Sequence, residues 1–234
     1  MDKSLTRIAA AFSFAAPISI FVAFGIALAH GLGGPVTLDF STTDSLRHMQ
    51  DAKPAMLWTE LLALVGPTLA LGAGLGWYRI LRPAGSYVAL GVLLWYVGMV
   101  FVVTQDALEY VLVARLPELY FAANETARAA IAAFGASLGG FIETLGATGD
   151  LVSNSGMALV CIAMLGGVRS VPRWLGGLGL ASALLISLPL LAEVVVPGGP
   201  FGPARGVGFL LFMVWFVATG VVMARWQPPV ADAV

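Results

Sequence analysis

Six apolar stretches, each separated from the next by polar or Gly/Pro-containing residues, dominate the chain. They run over about 8–29, 56–78, 86–104, 151–168, 174–196 and 206–226, the third tending to continue toward Val113. A helix needs roughly 20 apolar residues to cross a hydrocarbon layer of about 30 Å, and these stretches meet or approach that length. The pattern predicts an all-α, polytopic membrane bundle of six transmembrane helices, forming a single integral membrane domain over 1–234. Two longer segments interrupt it. His30–Ala55 reads as a polar surface loop. Residues 114–149 read as an outer helical or re-entrant segment; its part Ala129–Gly149 carries one charge, Glu143, but is rich in Ala, Gly and Ser and so only weakly lipophilic. Re-entrant backbone is tolerated only where protein buries it.

Composition agrees with the pattern. Of 234 residues 59% are hydrophobic and 11% charged, against about 45–50% and about 25% in soluble domains. Mean hydropathy is +0.91. That leaves too little polar surface for a water-soluble domain and too much apolar mass for disorder. A net charge of −1 gives no reason to expect a nucleic-acid partner. The single cysteine, Cys161, excludes an intrachain disulfide and a cysteine-based zinc site, and reads as a small core residue.

Charge sets the orientation. Lys3, Arg7, Arg79, Arg82, Arg169, Arg173 and Arg225, seven of the twelve basic residues, lie within a few residues of helix ends that share one side in a six-helix arrangement. The positive-inside rule makes that side cytoplasmic, with both termini on it. Counting Ala129–Gly149 as a seventh span moves Arg169, Arg173 and Arg225 outside, which the rule disfavours. Ala27-Leu28-Ala29 has the form of a signal-peptide cleavage site. The apolar run before it is longer than such peptides use, so the first helix is expected to be retained.

Packing signals follow. Gly72 with Gly76, and Gly135 with Gly139, are small residues four apart, which let helix backbones meet closely within one chain or across a dimer seam. Pro17, Pro67 and Pro189 lie inside spans and should bend them. Trp58, Trp77, Tyr78, Trp174 and Trp226 lie near helix ends, where aromatic belts form, whereas Trp95 and Tyr96 are mid-span and should face other helices or a pocket.

The acids are distributed unevenly. Of thirteen, all but Asp2 and Asp232 fall on the outer half of the six-helix arrangement. Glu60, Asp106, Glu109, Glu143, Asp150 and Glu193 lie in or beside apolar runs, where ionisable groups are costly and usually face inward. Asp106 and Glu109 share a helix face, and Gln105 stands four residues from Glu109. Glu60, Asp106, Glu109, Asp150 and Glu193 are therefore the candidate site, an outward-facing acidic cavity for a cation, a proton or a basic small molecule in a carrier-like or binding protein. A purely structural role is the alternative for these acids: Asp150 would cap a fourth helix beginning there, and others would pair with Arg115, Arg128 or Arg205. Two further classes stand beside the carrier. One is a scaffold or accessory subunit, binding lipid, another membrane protein or a second copy. The other is an intramembrane enzyme on lipid-like substrates, using His48 with carboxylates. Ser45, His48 and Asp51 make no recognisable catalytic turn, and no zinc, P-loop or dinucleotide motif is present. Catalytic residues stay unassigned; no metal and no cofactor is expected. Gly31-Leu32-Gly33-Gly34 and Gly198-Gly199-Pro200 read as turns, since no Lys-Ser/Thr follows.

Three short motifs carry a resemblance: Thr6-Arg7-Ile8-Ala9-Ala10 opening the first helix, the basic turn Tyr78-Arg79-Ile80-Leu81-Arg82-Pro83, and Arg169-Ser170-Val171-Pro172-Arg173-Trp174-Leu175-Gly176 leading into the fifth. Together they resemble the bacterial membrane-protein family numbered 4386 among domains of unknown function. The resemblance implies six spanning helices in the bacterial plasma (inner) membrane, with the lipid bilayer as partner. It implies no activity and no site residues, and the acids of this chain exceed what the family pattern requires.

Overall fold

The computed structural model describes residues 3–30, 39–168, 171–196 and 199–227. Among them, apolar runs fold as helices because only helices satisfy every backbone donor and acceptor internally in hydrocarbon. In chain order they are α1 (Lys3–Ala29), α2 (Thr43–Asp51), α3 (Lys53–Leu81), α4 (Tyr87–Ala122), α5 (Glu125–Leu165), α6 (Arg173–Val195) and α7 (Gly202–Arg225), with a 3-10 turn at Arg82–Ala84 after α3. All except α2 are long and apolar enough to cross a membrane, which gives the six spanning helices of the expected all-α class. The Gly31–Gly34 turn, Gly198, and Arg169 with Ser170 lie outside the described residues.

Three elements differ from expectation. The third spanning helix continues past Thr104 to Ala122, carrying Pro117 within it. Residues 129–149 form neither a separate outer helix nor a re-entrant one; they are the first half of α5, an unbroken helix of 41 residues. The physical reason is local. Alanine is the best helix former, and no proline occurs between Glu125 and Leu165. Asn124 supplies the start: its Oδ1 accepts from the Ala127 N–H at 3.0 Å, an N-cap. Asp150 therefore lies inside α5 and caps no helix. Lastly, part of the polar loop is α2. Thr42 caps it by accepting from the Ser45 N–H at 3.3 Å, and Leu46 and Met49, three apart, are fully buried.

The chain divides into two compact units. Four helices contribute to both, passing from one to the other at Pro17 in α1, Pro67 in α3, beside Gly98 in α4, and at Gly149 in α5. Prolines and glycines are the residues at which a helix is least strongly held.

The first unit comprises Met1–Pro17, Thr68–Met99 and Asp150–Val234. Its core holds Trp77, Trp95, Trp215 and Phe216, all nearly inaccessible. Trp77 stands 4.9 Å, ring centre to ring centre, from both Trp95 and Trp215. Trp77 thus belongs to the core and not to an aromatic belt. Among the described residues the indole N–H groups of all three tryptophans have no polar acceptor, and the edge-on geometry of Trp77 against Trp95 and Phe216 aims ring edges at ring faces. Trp58 and Trp174, by contrast, are exposed, as belt residues are. Cys161 is wholly buried. Gly72 fits against the Phe12 ring and Gly76 against Met223 and Ala9, so this small-residue pair is filled from within the chain.

The second unit comprises Ile18–Pro67 and Val100–Gly149. Leu46 and Met49 of α2 pack with Phe40, Met56, Leu112, Val113, Leu116 and Ile142. Gly135 accommodates the Phe40 backbone and Leu116, and Gly139 the Phe40 ring. Neither glycine pair is left free as a dimer seam. The Thr43 and Tyr120 hydroxyls lie 2.6 Å apart and pin α2 to α4.

Candidate functional site

Register decides which carboxylates meet. Lys53 at the start of α3 donates to the Ala114 carbonyl at 2.7 Å and pairs with Glu118 of α4 at 2.5 Å. Two turns further along α3 comes Glu60, and its charge feels that of Glu109, five residues back along α4 from Ala114. The two helices therefore run antiparallel here. The same holds for α4 and α5: Leu116 meets Gly135, and Gln105 meets Gly146. Glu143, between those two contacts on α5, falls opposite Glu109 and is within its electrostatic reach. Glu109 is thus the middle member of a layer of three glutamates from three helices, all in the second unit.

Neutral groups support this layer. The Gln105 Nε2 donates to a Glu109 carboxylate oxygen at 3.1 Å. Gln105 itself rests on the bare backbone of Gly146, where any β-carbon would strike its side-chain amide. Asp106, one residue along, is 8% exposed. Glu60 and Glu109 are half-buried, and Glu143 is exposed at the rim.

Nearby cations are engaged elsewhere. Lys53 and Arg115 both turn to Glu118, the latter at 3.9 Å. Arg128 donates to the Tyr120 and Phe121 carbonyls, each at 3.2 Å, and lies over the Tyr120 ring. Among the described ion pairs, Arg115 thus meets Glu118 and not Glu60, Glu109 or Glu143.

Asp150 and Glu193 belong to the first unit. Glu193 forms an ion pair with Arg205 at 3.8 Å, and Asp150 lies within electrostatic reach of the same arginine. The Asp150 carbonyl accepts from Asn154 at 2.8 Å and Ser153 at 3.2 Å. Their surroundings thus supply a protein cation, whereas among the described residues none pairs with Glu60 or Glu109. Of the five candidates, Glu60, Asp106 and Glu109 share one unit, and Asp150 and Glu193 the other.

Glu143 and Gly146 complete this arrangement, and sequence pattern alone places neither of them in it. Glu143 was visible as an acid, but its place opposite Glu109 depends on α5 being continuous through residue 143. Gly146 had no signal at all, since glycine at a close contact looks like any other glycine. Among the described residues no group of three or more His, Cys, Asp or Glu is placed to hold a metal ion. His30 closes α1, its Nδ1 lying 3.0 Å from the Ile26 carbonyl. His48 and Asp51 point to the exposed side of α2, away from Leu46 and Met49. No family model, curated protein or solved structure matches the chain.

Proposed function

We propose that the glutamate layer of the second unit binds a proton or a small cation, and that the protein is a carrier-like or ligand-binding membrane protein acting through Glu60 and Glu109, with Asp106, Gln105 and Glu143 around them. One observation carries this reading: two half-buried carboxylates on facing spanning helices repel each other, while the unit's neighbouring cations are committed to Glu118 and to backbone carbonyls. Like charges in a medium of low polarity require a compensating positive charge. A bound proton or cation, or a basic substrate group, supplies it. We also propose the bacterial plasma membrane, with both termini cytoplasmic, on the strength of the basic helix ends and the family resemblance.

The test is direct. Full-length protein in liposomes is assayed for proton and alkali-cation uptake, and in detergent for cation-dependent melting. Glu60→Gln and Glu109→Gln should abolish the cation or proton response, while Glu193→Gln should leave it intact. Wild-type behaviour of both first variants would overturn the reading.

A scaffold role is the second reading, favoured by one face of α5. Ala133, Ser137, Gly140 and Thr144 are exposed, and Gly140 has no neighbour within 4 Å of a built β-carbon. Cross-linking from Ser137→Cys in native membranes should then give a defined higher-mass species, and a strictly monomeric band counts against it.

A further inference from the structure

The other end of the first unit carries an unused set of charges. Arg7 lies in the second turn of α1, Arg79 in the last turn of α3, and Arg225 closes α7. Three contacts bring these ends together. Met223 packs on Gly76, Ala9 packs on the same glycine, and the Ser13 hydroxyl approaches the Met223 sulfur at 3.8 Å. Arg7 and Arg225, with Ala224, Trp226 and Gln227, surround a cavity of about 340 Å³. A water molecule occupies roughly 30 Å³ of the liquid, so the space suits a group much larger than a single water.

Among the described residues its charge is one-sided; Asp2 and Asp232 lie outside them. Among the described residues of this unit the arginines are Arg7, Arg79, Arg82, Arg173, Arg205 and Arg225, and the acids only Asp150 and Glu193. Both acids are within reach of Arg205, and none of the described ion pairs involves Arg7, Arg79 or Arg225. The Arg79 guanidinium lies 5.7 Å over the Trp226 ring. Its buried Nε has no acceptor among the described residues. Arg79 therefore holds one wall of the cavity by stacking, and adds a third positive charge behind it.

We propose that this cavity binds a phosphate group, either the headgroup phosphate of an anionic phospholipid or a soluble phosphate ester, between Arg7 and Arg225 against the Arg79-braced Trp226. The guanidinium fork matches phosphate oxygens in pairs. The position at helix ends is where basic residues meet lipid headgroups. The lining also offers the Gln227 amide as a neutral donor. This inference is independent of the glutamate layer.

The experiment uses the full chain, delipidated in a zwitterionic detergent. Native mass spectrometry follows binding of phosphatidic acid, phosphatidylglycerol and phosphatidylcholine, and thermal shifts follow inorganic phosphate and glycerol phosphate. Anionic phospholipid or phosphate ester should bind in preference to phosphatidylcholine. Arg7→Gln and Arg225→Gln should each weaken it about fivefold, and Arg225→Lys should fall between. Arg115→Gln, an equal loss of charge elsewhere, should change nothing. Lipid binding that glycerol phosphate does not displace identifies a headgroup site; displacement identifies a site for soluble esters. The proposal is overturned if phosphatidylcholine binds equally well. It is also overturned if the two glutamine variants, with helical content intact, bind like wild type or lose no more than Arg115→Gln.

Discussion

Glu109 depends on two residues that carry no charge. Gln105 donates to it, and Gly146 makes room for Gln105. In Gly146→Ala the new β-carbon meets the end of a flexible side chain, which can move aside. We expect a stability change within about 1 kcal/mol, seen as a small shift in melting temperature. Gln105 would leave Glu109, however, and the cation or proton response should weaken far more than stability does. Gly156→Ala makes the contrasting case. There the β-carbon would meet the Gly91 carbonyl and the Trp95 backbone nitrogen, neither of which can yield alone. A loss of about 1–3 kcal/mol is expected, read as a lower melting temperature with little effect specific to the glutamates. Glu193 is different again: it is paired with Arg205, one of the three arginines that the structural alternative offers the outer acids.

Helices α2 and α5 show where hydrophobic pattern stops being informative. The first half of α5 is Ala-, Gly- and Ser-rich, so its hydropathy is low, although its alanines favour a helix and no proline interrupts it. Hydropathy and helicity are separate properties, and only the first marks a span. At about 1.5 Å per residue, the 41 residues of α5 make roughly twice the length a 30 Å hydrocarbon layer requires. The 36 residues of α4 are also in excess. The tip joining these two helices, around Asn124, should therefore be in water. In α2 the buried residues are only Leu46 and Met49, too few for a periodicity to stand out in nine residues. Leu46→Ala should cost about 2–5 kcal/mol, the usual penalty for emptying a core leucine site. Limited proteolysis of the variant should then cut within residues 43–55 faster than in the wild type.

At the scale of the molecule, orientation is the prediction that charge alone makes. With the buried Cys161 replaced by Ala, the chain is free of thiols. Single cysteines at Asn124 and Gly85 then report opposite faces. In intact cells a membrane-impermeant thiol reagent should label Asn124→Cys and not Gly85→Cys. The reverse pattern would place the termini outside, and labelling at both would sink the six-span topology. An added cysteine at Ala130 separates the two accounts of α5, being labelled if the first turns of that helix extend beyond the membrane.

The number of spanning helices, and the placing of seven basic residues beside helix ends, were determined by the sequence by itself. Both are local quantities: transfer of apolar residues into hydrocarbon sums along the chain, and a lysine or arginine beside a span is read where it stands. Which carboxylates meet is not local. Glu60, Glu109 and Glu143 are separated by tens of residues, and a shift of one or two residues in the register of α3, α4 or α5 would turn them onto different faces. That register follows from contacts such as Lys53 with Ala114 and Gln105 with Gly146. The tertiary structure alone therefore separated Asp150 and Glu193, each beside Arg205, from the glutamates that, among the described residues, have no ion pair.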